Sequence, residues 1–173
     1  MAISIDSKAP RSASNRRLPA MHKTLPLLSL LLLSSCSGVR YEKNWTTALS
    51  KPAKGISGCW EGKWISEANG HTGALQCVVS QVSDKPNHYL FHYRATWVKI
   101  LRAAFTIECA AKQGSDGTWT VSGEKDLGPA FGGVFSHTAT ITQQALQARY
   151  SAKLDRGKME LIRPLVPSGS ATR

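Results

Sequence analysis

The chain has few acidic residues, and it lacks the short motifs that mark common enzyme and metal sites. Only 11 of its 173 residues are Asp or Glu, against 22 Lys and Arg, so the formal net charge is +11. Gly-x-Ser-x-Gly, a phosphate-binding loop, His-Glu-x-x-His and Cys-x-x-Cys are all absent. These absences remove the sequence support for a serine hydrolase, a P-loop enzyme or a zinc site. We expect no catalytic residues, no metal and no cofactor.

Long apolar runs are equally scarce, and the longest lies near the N-terminus. Residues 25–33 are apolar except for one proline and one serine, whereas a helix needs roughly 18–20 apolar residues to span a bilayer. A lysine precedes the run and two serines follow it, as in a secretory signal. We predict that residues 1–35 are a signal peptide, within which residues 1–20 are a long basic leader or an upstream start before Met21.

The residues after this run, Leu-Ser-Ser-Cys at 33–36, resemble a bacterial lipobox. The resemblance implies that Cys36 becomes the N-terminus and carries acyl chains such as palmitate, which hold a protein stably on a membrane when two or more are present. Ser37 stands where an Asp would signal inner-membrane retention in enteric bacteria. We therefore expect an exported protein anchored to a bacterial envelope membrane, in particular the outer one. The alternative is an ordinary signal peptide with an incidental cysteine.

The positive charge is divided between the signal and the rest of the chain. Residues 1–35 hold five basic residues and one aspartate, and the remainder holds 17 basic and ten acidic residues. No basic cluster is interleaved with aromatic residues in the manner of a nucleic-acid-binding module. We expect no nucleic-acid partner, and interpret the basic surface as one that faces anionic lipid or cell-wall polymer.

Short runs of alternating apolar and polar residues recur between turn residues over 57–163. Eight such runs can be counted, and this period of two with one polar face is typical of antiparallel strands. Eight strands with short connections favour an up-and-down barrel, because closure removes the exposed edges. The predicted fold is therefore all-β, a single antiparallel barrel over 57–164. We interpret residues 36–56 as a lipidated tether with one short helix anchored by Trp45 and Leu49, and 165–173 as a disordered tail.

Gly58-x-Trp60 at the first strand and Arg163 at the last resemble the calycin pattern of lipocalins and fatty-acid-binding proteins. Further motifs, Gly-x-Trp-x-Gly-x-Trp from residue 58 and Asn-Gly-His-x-Gly from residue 69, resemble small bacterial lipocalin-like proteins that share no established activity. The resemblance covers about residues 57–164. It implies a barrel in which Trp60 closes one end and Arg163 packs across its ring, a cation–π contact. Mid-strand Gly62 and Gly123 predict bends or close approach of two backbones.

The predicted inner face is rich in aromatic residues, and it provides the candidate ligand-binding residues. The residues assigned to ligand binding or barrel closure are Trp60, Trp64, Phe91, Tyr93, Trp97 and Arg163. Asn69 and His71 lie in the first hairpin turn and form a candidate functional loop. His137 points inward and His92 outward, so His137 alone could meet a haem, a minor alternative.

Cys59, Cys77 and Cys109 are an odd number of cysteines. Cys77 and Cys109 fall on the second and fourth strands, roughly 9–10 Å apart, which exceeds the roughly 7 Å reach of a disulfide. Cys59 points outward, so we predict no obligatory disulfide.

Three functional hypotheses remain open from the sequence. The first is an envelope lipoprotein whose barrel binds a small apolar ligand. The second is a structural or interaction lipoprotein with a filled barrel and no ligand. The third is an enzyme that uses His71 as a base, or a haem-binding barrel. The oligomeric state is left open.

Overall fold

The computed structural model describes residues 40–97, 101–129 and 133–165. Its eight strands are β1 (Gly58–Ser66), β2 (Thr72–Gln81), β3 (His88–Trp97), β4 (Leu101–Gln113), β5 (Trp119–Asp126), β6 (Val134–Ile141), β7 (Ala145–Ser151) and β8 (Arg156–Ile162). One helix, α1, covers residues 40–49. The predicted all-β class and the eight strands are confirmed. Arg163, which the sequence places at the last strand, lies just outside β8.

The strands form a closed antiparallel barrel in which each strand pairs with the next along the chain. Closure is made between the first and the last strand, where Gly62 faces Leu161 and Trp64 faces Met159. The up-and-down barrel predicted from the short connections is therefore confirmed. The pairing of β4 with β5 is short, since it covers only residues 110–113 of β4.

Alternation of side chains places one apolar face of every strand inside the barrel. In β3, burial alternates without a break from Tyr89 to Ala95, as expected for a strand with one face in the core. The fully or nearly fully buried core residues include Trp60, Leu75, Cys77, Val79, Phe91, Tyr93, Ile107, Cys109, Ile141, Leu146 and Leu161. This single cluster fills the barrel along its axis.

Gly62 and Gly123 are among the glycines that allow neighbouring strands to approach more closely than a side chain would permit. A β-carbon at Gly62 would lie 2.0 Å from the carbonyl oxygen of Glu160, and one at Gly123 would lie 2.6 Å from that of Glu108. Real β-carbons do not approach backbone oxygens so closely. The close approach predicted for these two mid-strand glycines is confirmed.

Helix α1 packs against the outside of the barrel. Its residues Tyr41 and Trp45, four apart and therefore on one helical face, form a second buried cluster with Cys59 and Val78 of the sheet. Ala48 and Leu49 extend this contact by one turn. The segment interpreted as a tether thus includes a helix, with Trp45 and Leu49 on it, that covers part of the outer sheet surface.

Candidate functional site

The two ends of the barrel differ, and we name them by the tryptophan that each contains. At the Trp60 end, the guanidinium carbon of Arg163 lies 3.6 Å from the centroid of the Trp60 ring. Arg163 also donates hydrogen bonds to the carbonyl oxygens of Gly55 (2.7 Å), Ser57 (2.9 Å) and Cys59 (3.4 Å). One cation therefore ties together the chain entering β1 and the chain leaving β8.

The Trp60 ring itself is fully buried, and its indole nitrogen donates to the carbonyl oxygen of Ile56 at 3.0 Å. Ile56 is buried as well. Because Ile56, Trp60 and Arg163 interlock, this end of the barrel is sealed by the chain's own side chains.

The middle of the barrel contains a group of three polar side chains, Tyr93, His137 and Cys109, which aromatic rings enclose. The Tyr93 hydroxyl and the Nε2 atom of His137 are 2.7 Å apart, and the Nδ1 atom of His137 is 3.6 Å from the Cys109 sulfur. The Phe91 ring centroid lies 5.5 Å from that of His137. Both ring nitrogens thus have protein partners. This arrangement does not favour His137 as a haem ligand, since its nitrogens are engaged and its ring is enclosed.

Burial controls the protonation of this interior group. It lowers the pKa of His137 to about 4 and raises the pKa of Cys109 to about 12. Burial also raises the pKa values of Tyr93 and Cys77 well above their usual ranges. All four groups are therefore neutral near pH 7, and the imidazole of His137 can accept a hydrogen bond from the Tyr93 hydroxyl at one nitrogen while its other nitrogen donates one. The group is suited to fixing the core and poorly suited to nucleophilic chemistry, which needs a thiolate.

The three cysteines Cys59, Cys77 and Cys109 are free thiols and are all buried. Cys59 faces outward, as its position in β1 predicts, and is covered by α1, where its sulfur lies 3.5 Å from the carbonyl oxygen of Trp45. Burial raises the pKa of Cys59 to about 11.

The Trp64 end is lined by aromatic side chains that are less completely enclosed. Trp64 lies 5.4 Å from Trp97 by ring centroids, and its indole nitrogen donates to the carbonyl oxygen of Thr96 at 3.2 Å. The apolar residues that pack on the core but stay partly exposed at this end are Trp97, Phe105, Leu127 and Ala152. At the Trp60 end, the corresponding partly exposed residue is Trp119.

A ladder of aromatic rings connects the middle of the barrel with the Trp64 end. Ring centroids are separated by 5.4 Å between Tyr93 and Phe105, by 5.2 Å between Phe105 and Phe135, and by 5.8 Å between Phe135 and Tyr150. These separations are typical of favourable aromatic pairs. The ladder forms a continuous series of ring contacts from the core towards the rim, and of its four rings only Phe105 is partly exposed.

A hydrogen-bonded network of three side chains holds the two turns at this end together. The Ser66 hydroxyl donates to one carboxylate oxygen of Asp155 at 2.6 Å, and the Tyr150 hydroxyl donates to the other at 3.0 Å. Ser66 Oγ also accepts the backbone N–H groups of Ala68 and Asn69. Burial, followed by the hydrogen bond to Asp155, raises the pKa of Tyr150. Sequence reasoning missed this network, although an inward-facing serine at the end of β1 was a usable signal.

The candidate loop residues Asn69 and His71 lie in the turn beside this network. The side-chain oxygen of Asn69 accepts the backbone N–H of His71 at 2.9 Å, and the carbonyl oxygen of His71 accepts the backbone N–H of Ser66 at 2.8 Å. The His71 side chain is exposed. Among the described residues, no hydrogen bond involves its ring. The contacts of this loop are those of a stabilised turn.

Open cavities of about 400 to 900 Å³ lie on the surface of the described part of the chain, and these are not lined by Phe91, Tyr93 or His137, nor by Trp64 or Trp97. One of about 900 Å³ lies outside the barrel, between α1 and the sheet. In the same part of the chain, no group of three or more His, Cys, Asp or Glu side chains could hold a metal ion, and no helix is long and apolar enough to cross a membrane. Cys36 lies outside the described residues.

Comparison with protein-family models finds no match, and neither do comparisons with curated proteins and with solved structures. The functional argument therefore rests on the barrel and its two ends.

Proposed function

We propose that the protein is a lipid-anchored protein of a bacterial envelope membrane, in particular the outer one, whose barrel binds a small apolar ligand at the Trp64 end. The observation that carries the ligand proposal is the contrast between the two ends. The Trp60 end is sealed by Ile56 and Arg163, whereas the Trp64 end has a ladder of rings and a rim of partly exposed apolar side chains. Since the middle is filled, the ligand is small and binds at the rim.

Chemistry at the rim also limits what the ligand can be. Trp97 and Phe105 are partly exposed aromatic rings, and the carboxylate of Asp155 already accepts hydrogen bonds from two hydroxyl groups. Aromatic surfaces with few free polar groups favour an uncharged, apolar molecule. Arg163 lies at the opposite end and contributes to closure of the barrel.

Binding is tested with a neutral fluorescent probe, N-phenyl-1-naphthylamine, and by native mass spectrometry of protein purified from its host. We expect probe binding to weaken about tenfold in Trp97→Ala, because a ring face worth on the order of 1.4 kcal/mol is removed. The matched control is Trp119→Ala, a partly exposed tryptophan at the other end, which should bind normally. Equal loss in both variants, or no probe binding and a clean mass, would reject the ligand proposal.

The anchor is tested separately by palmitate labelling in a bacterial host. Cys36→Ala should abolish the label, and Cys59→Ala should keep it, because Cys59 is buried in the folded domain. Label that persists in Cys36→Ala contradicts the anchor and leaves the ligand proposal unaffected.

A second candidate function, an interaction lipoprotein with a filled barrel, is favoured by one specific observation. Phe91, Tyr93 and His137 are at most 1% exposed, so the centre has no space for a ligand. This candidate predicts salt-sensitive association with anionic envelope components through the basic outer surface. Absence of rim binding together with such association would support it.

A further inference from the structure

One cavity, which we call the helix groove, lies on the outer surface of the barrel. It has a volume of about 900 Å³ and is bounded by α1, by the segment leading into β1 and by the outer faces of β2, β3 and β4. From the helix it is lined by Arg40, Asn44, Thr47 and Ala48, and just after the helix by Lys51. The helical positions recur at the spacing of one helical face, adjacent to the face that packs Tyr41 and Trp45 on the sheet.

The charge of the groove has one sign. Its lining includes four cationic side chains and no Asp or Glu; the four are Arg40, Lys51, Lys54 and Lys125. Nearby carboxylates are directed elsewhere, because Glu42 pairs with Arg94, and Glu108 pairs with Lys85 and His88. Among the described ion pairs, none neutralises the four cations. The groove therefore attracts an anion.

The floor of the groove carries both apolar and polar side chains, and the polar ones include Ser80, His92 and Thr106. Val78 of β2, Leu90 of β3 and Ala104 of β4 line it from the outer face of the sheet. A purely polar anion would gain nothing from these side chains, whereas an acyl chain beside an anionic head would bury apolar surface against them. The combination of a cationic rim and a floor that includes apolar side chains suits an amphiphile.

We propose that the helix groove binds an anionic phospholipid of the membrane that carries the protein, with the phosphate at the cationic rim and the first acyl carbons on the apolar side chains of the floor. The inference rests on the proposed anchor for its geometry. Cys36 precedes Arg40 by four residues, and four residues span at most about 14 Å. A membrane that holds the acyl chains of Cys36 is therefore within reach of the groove.

The test uses the full chain with Cys36→Ala, so that binding does not depend on acylation. Vesicles of phosphatidylglycerol and phosphatidylethanolamine are compared with vesicles of phosphatidylcholine by flotation. The variant in which Arg40, Lys51 and Lys54 are all changed to Gln should bind the anionic vesicles about a hundredfold more weakly, since each cation near an anionic surface contributes on the order of fivefold. Equal binding to neutral vesicles would overturn the proposal.

A matched control removes the same charge elsewhere. Lys112, Lys153 and Arg156 are exposed, and changing all three to Gln should reduce binding by less than about threefold, through net charge alone. Equal losses in the two triple variants would show a diffuse electrostatic attraction and would overturn the groove as the site.

Two further measurements separate lipid from other anions. Ala48→Gln with Ala104→Gln narrows the groove without changing its charge, and we expect binding to fall about tenfold. Inorganic phosphate should compete no better than sodium chloride at equal ionic strength, because it lacks the apolar part. Unchanged binding by the narrowed groove, or displacement by millimolar phosphate, would overturn a lipid occupant. None of these results depends on the Trp64 end or on palmitate labelling.

Discussion

Neighbouring residues of β3, His92 and Tyr93, point to opposite faces of the same strand, and each belongs to a Tyr–His pair, the inner one buried and the outer one with a partly exposed histidine. Inside the barrel, the Tyr93 hydroxyl and His137 Nε2 are 2.7 Å apart. Outside, Tyr41 of α1 meets the His92 ring edge-on at 4.9 Å, and its buried hydroxyl has no hydrogen-bond partner among the described residues. The interior pair is fixed by polar complementarity, whereas the exterior pair is held by packing alone.

The difference indicates that the barrel interior is held more firmly than the contact between α1 and the sheet. An unsatisfied buried hydroxyl costs on the order of 1–3 kcal/mol, so the contact of α1 with the sheet is weaker than its apolar area suggests. Arg94 partly compensates, because its guanidinium lies 4.5 Å from the Tyr41 ring centroid and pairs with Glu42. We infer that the barrel is the stable unit and that α1 is a cover docked onto it.

The largest expected effect on stability comes from removing an aromatic side chain inside the barrel, and it is compared with removal of one outside the barrel. Phe91→Ala should lower the free energy of unfolding by about 3–5 kcal/mol, because it leaves a cavity enclosed on all sides. Trp45→Ala should cost less than half of that, because the helix lies on the outer surface, where solvent can enter the space and the helix can shift to close it. Urea unfolding curves measure both, and equal losses would contradict the distinction between barrel and cover.

Acid should weaken the interior pair specifically. Burial lowers the pKa of His137 from 6.5 to about 4. Between these two pH values His137 is protonated in the unfolded chain and neutral in the folded one. Stability is then lost as the pH falls from about 6.5 to about 4, by about 3 kcal/mol in total. His137→Gln should flatten this part of the stability–pH curve measured by urea unfolding. An unchanged slope in the variant would show that other groups govern it.

Removing one oxygen atom from Tyr93 should destabilise the protein. Tyr93→Phe leaves the Nε2 atom of His137 buried without a partner, and we expect a loss of about 1–3 kcal/mol. Thermal and urea unfolding provide the measurement. A neutral result would mean that water or a shifted side chain replaces the hydroxyl.

The smallest expected effect has the opposite sign. Tyr41→Phe removes a buried hydroxyl that has no partner among the described residues, and should raise the free energy of unfolding by up to about 1 kcal/mol. Together with Tyr93→Phe it forms a matched pair, the same chemical change on the two faces of β3. A loss of stability in both variants would contradict the proposal that the hydroxyl group stabilises the protein only on the inner face of β3.

The barrel was predictable because the sequence patterns that indicate it, alternating runs and short turns, each lie within a few neighbouring residues. Runs such as Tyr89, Phe91, Tyr93 and Ala95 alternate strictly, and short turns between runs leave antiparallel pairing as the simplest connection. The contact between Trp60 and Arg163 is different, since these residues are about 100 positions apart and only the family resemblance indicated it. Alternation alone could place both residues inside without bringing them together.

Other parts of the site depend on the three-dimensional register. Tyr93 and His137 were both predicted to face inward, but their hydrogen bond crosses the barrel between β3 and β6, and no sequence period encodes a distance across a barrel. The packing of α1 had a usable signal in Tyr41, Trp45 and Leu49, which are spaced four apart. That stripe extends over two turns only, which is too short to distinguish a docked helix from a polar segment.

Gly62 and Gly123 have a consequence for how this barrel can evolve. A neighbouring carbonyl oxygen occupies the space that a β-carbon would need at each position, so no other amino acid fits without moving a strand. Core residues such as Leu75 and Ile107 are under a looser constraint, because apolar side chains of similar volume can replace one another. Over long divergence the apolar residues are free to drift while the glycines are retained. A distant relative of this chain would therefore be recognised by the spacing of its glycines from its strand ends, after overall sequence identity has been lost.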